Sequence, residues 1–128
     1  MGWNMEEFRQ QLEEHPDYNK GIYHLEGLDD TAITYLYQHA KFLAFCSYTE
    51  GFGLPIIEAI QRGVPVLAAD IPVLREVGGE YCVWFEQDNA KELCEKVRTY
   101  QSPKCGSAPY KVTTWEECSR KMEQILQL

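Results

Sequence analysis

The stretch Phe42-Leu43-Ala44-Phe45-Cys46-Ser47-Tyr48-Thr49-Glu50-Gly51-Phe52-Gly53-Leu54-Pro55-Ile56-Ile57-Glu58-Ala59 decides the fold. Phe42 to Phe45 is a short apolar run and reads as a buried strand. Gly51 and Gly53 break the chain after it. Pro55 has a fixed φ and no N–H, so it suits the first position of a helix. That helix is predicted over Pro55 to Arg62, with Gly63 as a left-handed C-cap. The order is strand, glycine loop, helix. Backbone N–H groups at Gly53, Leu54 and Ile56 are expected to point out of the helix start, a site for an anion such as a diphosphate. The glycines remove side chains that would keep a ligand away. Gly53, or Gly51, is therefore expected to adopt positive φ or to face the ligand, and Gly53→Ala to hurt binding more than folding. Glu50 sits in the loop and Glu58 about one turn into the helix. A carboxylate beside a phosphate site repels it, so both are expected to face sugar and ribose hydroxyls, which donate to carboxylates.

Glu50 and Glu58 enclose seven residues. The string Glu-Gly-Phe-Gly-Leu-Pro-x-x-Glu-Ala, followed by Gly63-Val64-Pro65-Val66, resembles the Glu-x7-Glu signature of retaining GT-B glycosyltransferases. That family includes glycogen-synthase-like enzymes and bacterial polysaccharide mannosyl- and glucosyltransferases. A lone pair of glutamates at this spacing carries no information, because solvated glutamates near helix starts are common. The whole string on strand, loop and helix is far more specific.

The resemblance runs from about Ile22 to the C-terminus, and it implies roles. Glu50 is the catalytic-site carboxylate that holds hydroxyls of the donor sugar. Gly51, Phe52, Gly53 and Leu54, with Ser47, serve the sugar and diphosphate. Glu58 binds the ribose. Tyr23-His24-Leu25-Glu26-Gly27 looks like the strand and glycine turn that precede the motif, so Glu26 and Gly27 would hold the nucleobase. The helix carrying Trp115 resembles the family's C-terminal helix, which returns toward the partner domain. Cys46-Ser47 departs from the Pro-Ser common there. The implied reaction moves a hexose from a nucleotide diphosphate sugar to a glycan or lipid-linked acceptor, with no metal and no cofactor.

The larger departure is what is missing. The family has two Rossmann-like domains, and the acceptor-binding N-terminal one is expected to lie outside this sequence. So are the first two strands of the donor domain, with their Arg and Lys for the diphosphate. Lys20, Lys41, Arg62 and Arg75 match no such motif and read as solvated surface charge; His15, His24 and His39 are equally bland. Loss of a leaving diphosphate needs positive charge where the negative charge develops. An exposed helix dipole supplies only about 0.3–1 kcal/mol, against roughly 8 kcal/mol or more of barrier reduction in catalysis. The isolated chain is expected to have little or no transferase activity. The alternative is a non-catalytic remnant acting as an interaction or assembly module. A nucleotide-sugar epimerase on the same fold is disfavoured by the intact Glu-x7-Glu string.

The rest of the chain supports an α/β, Rossmann-like parallel sheet with flanking helices, one partial donor-binding domain over residues 1–128. Asn4 with Glu7 predicts a capped helix ending at Pro16. Gly21 to Leu25 is predicted as a strand. Asp29 and Asp30 offer N-caps for a helix showing Ile33, Leu36, Tyr37 and Ala40 on one face. Strands Val64 to Ala68 and Tyr81 to Phe85 follow, with a helical turn from Asp70 to Val77 between them. Asn89 with Glu92 predicts a helix whose inner face is Ala90, Leu93, Cys94 and Val97. Gln101 to Lys111 reads as a loop. Thr114 with Glu117 caps a last helix with Trp115, Cys118, Met122, Ile125 and Leu126 on one face. Alternating strands and helices imply a parallel sheet, with ligands beyond the strands' carboxyl ends. Glu26-Gly27, Ser47 to Gly53 and Asp70-Ile71 are then expected along one rim.

The run Phe42 to Phe45 is apolar on both faces and suits the middle of a sheet. With the family's first strands absent it needs a cover. Either strand Ile22 to Leu25 slides in beside it, giving four consecutive strands, or two chains pair edge to edge as a homodimer. The first is slightly favoured.

A length of 128 residues holds a modest core, and 45% hydrophobic content suits a globular chain. A net charge of −8 argues against nucleic-acid partners and anionic membrane surfaces. No apolar run reaches spanning length and no signal peptide is visible, so the expected location is the cytoplasm, with peripheral attachment at the inner membrane face through the missing domain. The five cysteines, Cys46, Cys82, Cys94, Cys105 and Cys118, have no Cys-x-x-Cys spacing. They read as reduced, mostly buried thiols.

Overall fold

The computed structural model describes residues 5–100, 110–111 and 113–126. The chain divides into two compact units, Met1–Thr34 and Tyr35–Leu128.

In the first unit, helix α1 spans Glu6–Glu13 and buries no residue. Its N-cap is Met5, with no side-chain cap bond; Asn4, half of the expected capping box, lies outside the described residues. Arg9 pairs with Glu13 one turn on, at 2.7 Å. The strand expected from Gly21 to Leu25 does not form. The Asp17 carbonyl accepts from the N–H groups of Lys20, Gly21 and Ile22, which closes a tight loop. Tyr18 and Ile22 make only an isolated bridge across it. With the backbone bonds taken up locally, residues 23–26 pair with no described strand. Tyr23 and Leu25 are left 60% and 53% exposed. Helix α2, Asp30–His39, runs through the division between the units. Asp29 is its cap, accepting from the Ala32 N–H at 2.8 Å.

The second unit holds a parallel sheet in the order β1-β2-β3, with β1 Leu43–Phe45, β2 Val66–Ala69 and β3 Cys82–Phe85. Leu43 stands beside Val66, and Val66 beside Cys82. This is an α/β, Rossmann-like arrangement. Central strand β2 is buried at every residue, and its alternation sends side chains to opposite faces. Val66 and Ala68 pack with Ile56, Ala59, Ile71 and Leu74, under helices α3 (Leu54–Gln61) and α4 (Pro72–Gly78). Leu67 and Ala69 pack with Phe85, Leu93 and Tyr100 on the other face, where helix α5 (Ala90–Arg98) lies. Helix α6 spans Trp115–Leu126.

The four-stranded alternative is ruled out: β1 is an edge strand, paired with β2 alone among the described residues. Ala44 is exposed and Leu43 and Phe45 are half-buried, so a run apolar on both faces sits at a margin.

Helix ends follow the sequence closely in two places. Gly63 has φ +71°; its N–H donates to the Ile60 carbonyl, and the Val64 N–H to the Ala59 carbonyl. That is the paired Schellman closure of α3, which only a residue without Cβ adopts cheaply. Thr114 and Glu117 form the reciprocal capping box of α6, each bond 3.2 Å. At α5 the box is only half made. Asn89 accepts from the Glu92 N–H at 3.0 Å, but the Glu92 carboxylate accepts from the Glu86 N–H instead.

The expectation of mostly buried thiols is corrected. Cys94 and Cys46 are exposed, and of the described cysteines only Cys82 is buried; Cys105 and most of the expected Gln101 to Lys111 loop lie outside the described residues. The shared face of α6 is uncovered, with Trp115 90% and Ile125 79% exposed.

Candidate functional site

The glycine loop leaves the carboxyl end of β1 and enters α3 through Gly53, whose φ of +84° and ψ of 43° make it a left-handed N-cap. The helix begins at Leu54, so Pro55 takes its second position rather than its first. Pro55 has no N–H to lose there, and its fixed φ suits a first turn.

Positive φ at Gly53 is as the sequence predicts, but its cause lies inside. A Cβ on Gly53 would stand 2.6 Å from Cδ2 of the fully buried Leu74. The bare side of Gly53 therefore faces the core, so Gly53→Ala carries a folding cost of its own besides any effect on binding. Gly51 meets nothing within 4 Å.

Of the three N–H groups expected to point outward, Ile56 does not: it donates to the Gly53 carbonyl at 3.0 Å. Among the described residues no hydrogen bond is donated by the N–H of Gly53 or Leu54. The N–H groups expected to meet an anion thus narrow to those two.

The carboxylates are held by partners. Ser47 donates its hydroxyl proton to Glu50, Oγ to Oε1, at 2.6 Å. Tyr37 on α2 donates to the Glu58 carboxylate at 3.3 Å and lies 3.4 Å from the Pro55 carbonyl. Burial, followed by the Glu58 charge, pushes the Tyr37 phenol above its ordinary range. Arg62 lies over the Tyr37 ring, 5.0 Å from its centroid, and its guanidinium donates to the Glu58 carbonyl. Neither Tyr37 nor Arg62 was marked by the sequence. Tyr37 lay among the apolar positions of a helix face, and Arg62 read as surface charge. Their roles depend on the Tyr37 side chain reaching α3, which no local pattern encodes.

Tyr48, Phe52 and Leu54 stand exposed around the loop, at 71%, 55% and 59%. Gln87, beyond β3, donates its side-chain amide to the Tyr48 carbonyl. Asp70-Ile71 leaves the carboxyl end of β2, on the same rim as Ser47 to Gly53. Arg75 is not the free surface charge expected. It makes two bonds to the Asp70 carboxylate and lies 4.5 Å from the Trp84 ring centroid. The guanidinium holds the Asp70 carboxyl below its usual range. A cavity of about 540 Å³ opens beside this pair, lined by none of Ser47, Glu50 to Leu54 or Glu58.

Glu26 and Gly27 belong to the first unit. Gly27 has φ +64°, and Glu26 lies 3.4 Å from the His24 ring. They do not follow a strand end, so the reason to place them on the rim is gone. Among the described residues no group of three or more His, Cys, Asp or Glu is placed to hold a metal, and no helix is long and apolar enough to cross a membrane.

Residues 1–104 match the family described as glycosyl transferases, group 1. The chain belongs to that family. It is 35% identical over 99 residues to the serotype-specific mannosyltransferase WbdA of Escherichia coli, a match covering 77% of this chain and 12% of that protein. It is 38% identical over 79 residues to O-antigen chain mannosyltransferase B of Escherichia coli, covering 62% and 20%. To O-antigen chain mannosyltransferase RfbU of Salmonella typhimurium it is 35% identical over 66 residues, covering 52% and 19%. The match thus takes in 12–20% of the length of these relatives. A Rossmann-like parallel sheet in this family fits the GT-B architecture.

Proposed function

We propose that this chain is the donor-binding part of a retaining glycosyltransferase. The parent reaction moves a hexose from a nucleotide diphosphate sugar to a glycan or lipid-linked acceptor held by a domain outside residues 1–128. The names of the relatives favour mannose as the hexose and a cell-surface polysaccharide as the product. The enzyme works in the cytoplasm, peripheral to the inner membrane face where a lipid-linked acceptor lies.

One observation carries the reading. Glu50 and Glu58 flank the start of α3, and each is held by a hydroxyl, Ser47 on Glu50 and Tyr37 on Glu58. Such fixed carboxylates accept hydrogen bonds from neutral hydroxyls and reject phosphate. Between them lie the N–H groups of Gly53 and Leu54 at a helix N-terminus, which accept it. In this reading Glu50 orients the sugar at its reacting carbon. Gly51, Phe52, Gly53 and Leu54 hold sugar and diphosphate, while Glu58 holds the ribose. Ser47 acts on Glu50 rather than on the ligand. The donor's own phosphates supply the leaving group, and no metal is invoked. The open edge of β1 is where a second copy would pair if the chain self-associates.

The test is backbone shift mapping with UDP, GDP and ADP. Saturable perturbation centred on Gly51 to Glu58 is expected with at least one of them. Perturbations scattered elsewhere at millimolar ligand overturn the reading.

A further inference from the structure

The cavity of about 540 Å³ is lined by none of the motif's own residues, and its lining is informative. Asp70, Arg75, Trp84, Phe85, Glu86, Gln87 and Glu92 surround it. Asp70 follows the carboxyl end of β2, and Glu86 and Gln87 follow that of β3. In parallel α/β sheets that rim is where ligands sit, and the volume lies in the range of small-ligand clefts, roughly 300–1,000 Å³.

The lining selects a chemistry. Three carboxylates face one guanidinium, and the guanidinium is already committed to Asp70 through two bonds. A phosphate or carboxylate ligand would meet net repulsion. A neutral hydroxyl donor would meet acceptors, since each carboxylate offers about four lone-pair sites. The described partners occupy only some of them: Arg75 on Asp70, the Glu86 N–H and Lys96 on Glu92, Asn89 on Glu86. Those partners also hold the acceptors in place before a ligand arrives, which lowers the ordering cost of binding. Trp84 adds an aromatic ring to the lining, with Arg75 over it, whereas Phe85 belongs to the buried core; an indole of this kind suits the C–H face of a sugar ring.

The cavity is joined to the motif. Gln87 lines it and donates its amide to the Tyr48 carbonyl, three residues before Gly51. A ligand here lies within one side chain of the glycine loop.

We infer that this cleft binds a neutral pyranose unit of the acceptor glycan, beside the donor loop. The inference rests on the transferase reading above. It assigns part of acceptor recognition to this chain rather than to a second domain alone.

The experiment is a titration of the isotope-labelled chain with methyl α-mannobioside. Saturable shifts are expected at the Trp84 indole N–H, the Gln87 side-chain amide, and the Asp70 and Glu86 backbone, and not at Gly51 to Leu54. Gln87→Ala and Asp70→Asn, both with dispersed native spectra, are each expected to weaken the disaccharide by about fivefold or more, close to 1 kcal/mol. Inorganic phosphate is expected to shift none of these signals. Three results overturn the inference: no saturable shift by tens of millimolar disaccharide, shifts that survive both variants, or phosphate perturbing the same residues. A parallel titration with GDP, UDP and ADP separates the two proposals. Nucleotide shifts at Gly51 to Glu58 with a silent disaccharide refute the cleft and leave the donor reading standing. A binding disaccharide with silent nucleotides does the reverse.

Discussion

Gly53 is packed against Leu74: a Cβ added to the glycine would stand 2.6 Å from a side chain that is fully buried between α4 and the sheet. The same glycine holds φ +84°. Gly53→Ala therefore carries two costs, overpacking of about 1–3 kcal/mol and a left-handed alanine at about 1–2 kcal/mol. Gly51 has open space around it, and Gly51→Ala is expected to stay within about 0.5 kcal/mol of the parent. Urea denaturation of both variants checks this. Equal stability of the two would show that Leu74 gives way freely.

The Ser47–Glu50 bond gives a handle for telling the proposed sugar recognition from the proposed nucleotide recognition. Ser47→Ala frees a carboxylate that the account assigns to sugar hydroxyls. A charge-assisted bond of this kind is worth roughly 1.5–3 kcal/mol where it is shielded and less where it is wet. Calorimetric titration is expected to show weaker binding of a nucleotide diphosphate sugar and unchanged binding of the nucleoside diphosphate. Equal losses for both would remove Glu50 from the sugar.

Much of this was legible in the sequence, and the failures share a cause. β1, the glycine loop, α3 and its Gly63 closure could be read because strand, breaker and cap are local signals. The strand at Gly21 to Leu25 had the right composition, but its backbone bonds close on Asp17 instead. A strand is a relation between two segments, and one segment cannot show it. Cys94 fell on the predicted inner face of α5, yet α5 meets the core through Leu93 and leaves Cys94 outside. The Tyr37–Glu58 contact joins residues 21 apart on different helices. Each residue type was visible, but their meeting was not.

Thiol chemistry tests the corrected burial. Burial pushes the Cys82 thiol up to about 12 from an ordinary 9.0. A raised folded pKa means that this stabilisation is complete below pH 9 and is lost as pH climbs toward 12. An aromatic disulfide reagent at pH 8 is expected to modify Cys94 in the native chain and Cys82 only after unfolding, with peptide mass mapping as the readout. Native-state labelling of Cys82 would contradict the packing against α4 and β2.

Acid behaviour has the opposite sign. Arg75 lowers the Asp70 carboxyl, the Glu86 N–H and then Lys96 lower Glu92, and the Thr114 N–H and then Lys111 lower Glu117. A depressed folded pKa gives stability that is complete above the ordinary values of 3.8 and 4.5 and fades as pH falls through the lowered ones. Denaturation midpoints are expected to hold steady down to about pH 5 and then fall. Arg75→Ala is expected to make the fall shallower, and an unchanged acid limb in that variant would remove the Asp70 pair from the account.

The central claim is that Glu58 reads ribose hydroxyls beside a diphosphate held at the start of α3. The most direct measurement compares GDP with its 2′,3′-dideoxy form on the parent chain and on Glu58→Gln. The account predicts that loss of the hydroxyls weakens the parent by about tenfold, near 1.4 kcal/mol, and that Glu58→Gln nearly erases the difference. Tyr37→Phe, which releases the carboxylate without removing it, is expected to fall between the two. Equal affinity of the parent for both nucleotides, or the same gap in parent and Glu58→Gln, would contradict it.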